Sequence, residues 1–166
     1  MSFNWPKNST LTRTSKWYQT GGTRIPFRYN LPRMHQNETR FRVRYAETDQ
    51  MGVVYYANYL IWMELGRVEY CRSIGLRYKD MEVNDGILLT VAEANCRYLS
   101  PARYDEEIVL HTTVKQSGPR MVRFSYEMSE AESGRKLATG ETAHVFCGRD
   151  MRPLKLPEKY LVLFRQ

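Results

Sequence analysis

Residues 45–59 read Tyr-Ala-Glu-Thr-Asp-Gln-Met-Gly-Val-Val-Tyr-Tyr-Ala-Asn-Tyr, and the fold is decided around them. Ahead of this stretch Phe41, Val43 and Tyr45 alternate with Arg40, Arg42 and Arg44. Period two is the mark of a strand with one buried face. Behind it the spacing predicts a helix from about Tyr56 to Ile74, with Tyr59, Leu60, Met63, Gly66, Tyr70 and Ile74 on one face. Trp62, Leu65 and Val68 make the rest of the circumference apolar, which predicts a helix wrapped by other structure. Gly75 is its expected stop. Asp49 and Gly52 therefore sit in a turn between a strand and the start of a helix. Helix N-termini present unpaired N–H groups and partial positive charge. A carboxylate held beside one can attack a carbonyl polarised by it, or activate water to do so. By itself an Asp before a helix is most often an ordinary capping or turn residue.

Further along, Ile108, Leu110, Thr112 and Val114 alternate with Val109, His111 and Thr113. Val122, Phe124, Tyr126 and Met128 alternate with Arg123, Ser125 and Glu127. Leu137 to Phe146 continues in this style after Glu132-Ser133-Gly134, and Ser117-Gly118-Pro119 is another turn. Ile87 to Tyr98 reads as a further strand, entered through Asn84-Asp85-Gly86. Such short connections leave no room for helical crossovers, so the strands are antiparallel. A short helix is expected near Glu158 to Phe164. The pattern predicts an α+β domain with an antiparallel sheet and one long helix.

The pattern D-x-x-G-x-V-Y-x-x-N-Y after a strand resembles the signature of the 4-hydroxybenzoyl-CoA thioesterase-like family of acyl-CoA thioesterases. The resemblance covers roughly residues 39–157 and is densest over 41–75. It implies the hotdog fold, a curved antiparallel sheet around one central helix. It also implies that Asp49 is the reacting carboxylate, as nucleophile or as general base, and that the N–H near Tyr56 polarises the thioester carbonyl. One branch of the family carries His where Tyr56 stands, so a helper titrating near neutral pH is absent here. The role expected of Tyr56 is therefore that of its backbone N–H.

Tyr45, Gly52, Val54, Tyr55, Asn58 and Tyr59 match or flank the signature and are expected around the substrate. Asn58 bonding the first helical turn and Tyr59 packing in the core are the local alternatives. Tyr45, Val54 and Met63, with a partner chain, are expected to line an acyl tunnel. Coenzyme A is polyanionic, and Arg97, Arg103, Lys115, Arg120 and Arg123 are candidate phosphate contacts or plain surface charges. Ser100-Pro101-Ala102 resembles a family loop near the ligand. Glu64 and Arg67 are placed for an i,i+3 ion pair or for partners on the sheet.

The 166-residue chain suits one domain. Its net charge of +7 is uneven. Residues 1–37 hold six bases (Lys7, Arg13, Lys16, Arg24, Arg28, Arg33) and no acid, leaving 19 bases and 18 acids over 38–166. The near-neutral remainder argues against a nucleic-acid binder. The segment 1–37 lacks periodicity and reads as a disordered or leader extension to a domain at 38–166. A start at Met34, a transit peptide and a functional arm are the readings open for it.

Cys71, Cys96 and Cys147 are odd in number and widely spaced, which favours a reducing, cytoplasmic compartment. No apolar run approaches the roughly 18 residues of a membrane span. No serine-hydrolase elbow or nucleotide loop is present. His35, His111 and His144 are far apart, and His144 and Cys147, three apart on a strand, face opposite sides. The expected activity is acyl-CoA hydrolysis without metal or cofactor, in a homodimer or homotetramer. The alternatives are a non-catalytic module binding acyl-CoA or acyl-carrier protein, and a nucleic-acid-associated protein acting through its basic leader.

Overall fold

The computed structural model describes residues 35–165. Most of the leader, residues 1–34, lies outside the described residues. Its last positions, Gln36 and Asn37, stand in the first strand.

Five strands form one sheet: β1 (Gln36–Arg42), β2 (Leu88–Tyr98), β3 (Glu107–Ser117), β4 (Met121–Glu130) and β5 (Lys136–Cys147). The order is β1-β3-β4-β5-β2, and each neighbouring pair is antiparallel. This is the antiparallel α+β arrangement that the sequence predicts. The alternation fixes which side faces the core: Val122, Phe124, Tyr126 and Met128 are buried, as are Ile108, Leu110 and Thr112. Slipping either strand by one residue would turn this set to the other face.

Helix α1 (Asn58–Ser73) packs on the sheet through Tyr59, Trp62, Met63, Gly66, Tyr70 and Cys71. Two sequence expectations are corrected here. Leu60 is 41% exposed, and Trp62 takes its place in the buried stripe. The helix is also apolar all round without being covered all round, because Ile61 and Leu65 are 52% and 37% exposed. At its end Gly75, with φ +82°, adopts the left-handed conformation, and Leu76 N–H bonds Cys71 O at 2.8 Å. That is the expected glycine stop.

Arg67 does not pair with Glu64. Its guanidinium lies 3.1 Å from Nε2 of the buried His144 on β5 and sits over the Tyr78 ring. Burial, then the neighbouring Arg67 charge, pushes the His144 imidazole down to about 3, so it stays neutral at physiological pH.

A second helix, α2 (Tyr78–Asp85), was not expected. Of its eight residues only Met81 is buried, too few for a periodic signal. The chain closes with α3 (Glu158–Leu161) and a 3₁₀ turn over Val162–Arg165. Leu161 and Phe164 join the core, Phe164 against Phe124 and Phe146.

Candidate active site

β1 ends at Arg42, and Tyr45 is not part of it. Residues Tyr45–Glu47 form a 3₁₀ turn, and Tyr45 is 78% exposed with its ring edge-on to Tyr104. The cause is Glu47. Its carboxylate accepts the Arg44 N–H at 2.7 Å and the Arg44 guanidinium at 2.8 Å, curling the chain out of the strand.

Glu47 is 5% exposed and is the hub of the site, although nothing in the chain's pattern singles it out beyond its place two residues before Asp49. Its Oε1 also accepts the indole N–H of Trp62 at 3.1 Å. Its backbone carbonyl accepts Tyr55 N–H at 2.9 Å and the Asn58 side-chain amide at 2.8 Å. One residue thus ties the end of β1, the entry to α1 and the second turn of α1 together. Burial alone would raise the Glu47 carboxyl; the Arg44 and Trp62 hydrogen bonds outweigh it and hold the group below the ordinary carboxylate value. The folded chain therefore binds this proton less readily than the unfolded chain. The stabilisation is present above the ordinary value and is lost as pH falls through the folded one. Glu47→Gln is expected to flatten the loss of stability below about pH 4.5 in acid unfolding followed by circular dichroism. An unchanged acid limb would contradict it.

Asp49 lies in a tight hairpin closed by an antiparallel bridge between Thr48 and Val54. Asp49 N–H donates to Val53 O, and Gly52 N–H donates to Asp49 O, both at 2.9 Å. Gly52 has φ +71°, and nothing lies within 4 Å of where its Cβ would be. The glycine is therefore required for its backbone angle and not for space. Asp49 is half-buried, and Oδ1 accepts Met51 N–H at 2.8 Å. This local bond holds the carboxylate against its own turn and leaves its other oxygen without a protein partner among the described residues.

The chain then turns into α1. Asn58 N–H bonds Tyr55 O at 3.0 Å, and Ala57 already has helical angles, φ −66° and ψ −24°. Neither Tyr56 N–H nor Ala57 N–H has an acceptor among the described residues. These are the orphan donors expected of a helix start, and they carry its partial positive charge. The hairpin with Asp49 and these donors are fixed to each other through Glu47.

The remaining predicted residues separate into three groups. Val54, Tyr59 and Met63 are core side chains; Val54 N–H donates to Ala102 O at 2.9 Å, and Tyr59 Oη accepts Ala102 N–H at 3.1 Å. Tyr45, by contrast, is exposed. Tyr55 and Tyr56 are 45% and 60% exposed with ring centroids 4.5 Å apart. Ser100 is turned inward, donating to Lys136 O at 2.5 Å.

Of the basic candidates, Arg97 on β2 and Arg103 are exposed near this end of the sheet, where Arg42 pairs with Glu107 and Arg97 with Thr139. Arg120 follows Ser117, at the opposite end of the eleven-residue β3, roughly 30 Å along the strand. Lys115 and Arg123 are paired with Glu141, and Arg123 with Glu93 as well. Within one chain these three stand apart from Asp49. Arg135, not singled out by the sequence, bonds Pro101 O and Glu106 beside the site. A groove of about 460 Å³ adjoins Glu47, with Phe41, Ile61, Trp62 and Leu65 as its apolar floor and both arginines (Arg42, Arg44, Arg72) and glutamates (Glu64, Glu69) among its polar lining.

The family model described as the thioesterase-like superfamily matches residues 43–163, from the end of β1 to the closing 3₁₀ turn. The chain belongs to this superfamily. Among its relatives is the putative acyl-CoA thioesterase YneP of Bacillus subtilis, 48% identical over 82 residues. That match takes in 49% of this chain and 59% of the relative, so the chain spans less than two thirds of that protein. The solved structure of a DHNA-CoA thioesterase from Staphylococcus aureus is 34% identical, with a TM-score of 0.70 over 73% of this chain and 80% of that one. The 4-hydroxybenzoyl-CoA thioesterase of Pseudomonas sp. strain CBS-3 shares the fold, with a TM-score of 0.70 at 21% identity over 77% and 98% of the two chains. The hotdog architecture expected from the signature is therefore that of this superfamily member. No helix among the described residues is long and apolar enough to cross a membrane.

Proposed function

We propose that this protein hydrolyses acyl-CoA thioesters to a carboxylic acid and free CoA. The observation that supports the reading is a half-buried carboxylate, Asp49, with one oxygen unpartnered among the described residues, in the hairpin that leads directly into a helix entry whose Tyr56 N–H is also unpartnered and which Glu47 O braces through Tyr55 N–H and the Asn58 amide. In the reaction the Tyr56 N–H receives the thioester oxygen as negative charge develops on it. Asp49 acts on the carbonyl carbon in one of two ways. As nucleophile it expels CoA thiolate and forms a mixed anhydride, which water then cleaves. As general base it takes a proton from the water that attacks directly. Both routes consume one thioester and one water.

The apolar floor of the groove beside Glu47 suits an acyl or pantetheine segment. The likeness to a putative acyl-CoA thioesterase and to a DHNA-CoA thioesterase supports the same substrate class. We place the protein in the cytoplasm as a homodimer or homotetramer. The exposed Leu60, Ile61 and Leu65 of α1, and β2 as an eleven-residue sheet edge, are surfaces that a second copy would cover.

Thiol release from a panel running from acetyl-CoA through palmitoyl-CoA and including aryl-CoAs tests the reading. At least one member is expected to turn over well above the spontaneous rate. Failure to cleave any of them would overturn it.

A further inference from the structure

β2 ends at Tyr98, and the segment from Tyr98 to Ala102 meets the Asp49 hairpin and the start of α1. Three hydrogen bonds join this segment to the site. Ala102 O accepts Val54 N–H at 2.9 Å, Ala102 N–H donates to Tyr59 Oη at 3.1 Å, and Tyr98 Oη donates to Tyr56 O at 3.1 Å. The first two hold the base of the hairpin and the first turn of α1. The third falls on the turn between them, which carries the donors for the thioester oxygen.

Glu47 O holds the residues on either side of this peptide, through Tyr55 N–H and the Asn58 amide, but not the 56–57 peptide itself. Tyr56 O also receives Tyr59 N–H, but at 3.4 Å, a long bond. In a trans peptide the C=O and N–H lie in one plane and point in opposite directions. Holding the Tyr56 carbonyl from one side therefore aims the Ala57 N–H to the other. It also limits the rotation that would carry the preceding Tyr56 N–H away. We propose that Tyr98 is a positioning residue for thioester cleavage, its hydroxyl latching the 56–57 peptide so that the orphan N–H groups stay aimed at the reacting carbonyl. This inference rests on the reading of Asp49 and Tyr56 given above.

The hydroxyl suits the task. Desolvation, with the neighbouring Cys96, pushes it up to about 12, so it remains a donor throughout the physiological range. Tyr98 stands at a strand end and is 46% exposed, so removing one oxygen leaves the core untouched. The competing explanation is that the ring alone matters, through its edge-on contact with Tyr59 at 5.1 Å.

Kinetics on the full chain with acetyl-, benzoyl- and palmitoyl-CoA separate the two. Tyr98→Phe keeps the ring and removes the hydroxyl. It is expected to lower kcat about tenfold, with KM within about twofold and the melting temperature unchanged. Tyr98→Ala is expected to lose at least as much. Wild-type kcat in Tyr98→Phe overturns the latch, whatever Tyr98→Ala does. So does a fall in kcat matched by a lower melting temperature, which would mark a purely structural role. Asp49→Ala is run alongside. If it loses activity while Tyr98→Phe does not, the latch alone fails. If it turns over like wild type, the reading of the site fails and the latch with it.

Discussion

Asp49→Asn lowers turnover of acyl-CoA by about 10²–10⁴-fold while leaving the melting temperature within about 2 °C of wild type. The expectation follows from how little structural work the carboxylate charge performs. Oδ1 accepts the Met51 N–H within the hairpin, and an asparagine oxygen accepts it equally well. The hairpin itself is held by backbone bonds from Asp49 N–H to Val53 O and from Gly52 N–H to Asp49 O, which the substitution does not touch. What disappears is the negative oxygen that, in the proposed reaction, attacks the thioester or takes the proton from water. Asp49→Ala goes further and removes the local acceptor, at a stability cost of about 1 kcal/mol or less. Steady-state thiol release and a thermal melt on each variant check both halves. Retained turnover in Asp49→Asn would remove the carboxylate from the mechanism. Trapping with hydroxylamine then distinguishes the routes, since only nucleophilic attack leaves an acyl group on the wild-type protein.

Gly140→Ala costs about 3 kcal/mol, a fall in melting temperature of roughly 6–12 °C. Gly140 sits on β5 beneath α1. A Cβ there would stand 2.2 Å from Met63 Cε and 2.6 Å from the Asn95 carbonyl oxygen. The methionine end can swing, because it is a flexible thioether. The carbonyl cannot, because Asn95 lies in β2, whose register with β5 pairs Asn95 with Glu141 and Cys96 with Gly140. Relief therefore requires moving the edge strand as well as turning the Met63 thioether, which is completely buried. The strand shift propagates to Tyr98 at the end of β2. Melting followed by circular dichroism measures the stability, and an unchanged melting temperature would show that β2 yields without cost.

Part of this architecture is legible along the chain. β4 announces itself because every second residue, Val122 through Met128, is buried, and burial of one face is what writes period two into a sequence. α1 is legible for the same reason at period 3.6, and the Gly52 turn because only glycine readily takes its backbone angle. α2 is not legible, since it buries Met81 alone and so has no period to show. The exchange of Leu60 for Trp62 in the core follows from the Glu47 carboxylate meeting the indole, a contact fifteen residues apart that no helical spacing encodes. Likewise the strand-like alternation through Tyr45 ignores the Arg44–Glu47 bond that ends β1 early.

The features that can be read along the chain are local: which segments form strands and helices, where the tight turn falls, and which carboxylate lies in it. Those features depend on backbone preference and on which face meets the core, and both recur every few residues. The tertiary structure alone decided that Glu47 braces the helix entry, that Arg67 reaches His144, and that Tyr98 meets a carbonyl 42 residues away. Such contacts are set by strand order and register, and these place distant residues together without leaving any periodic trace at either position.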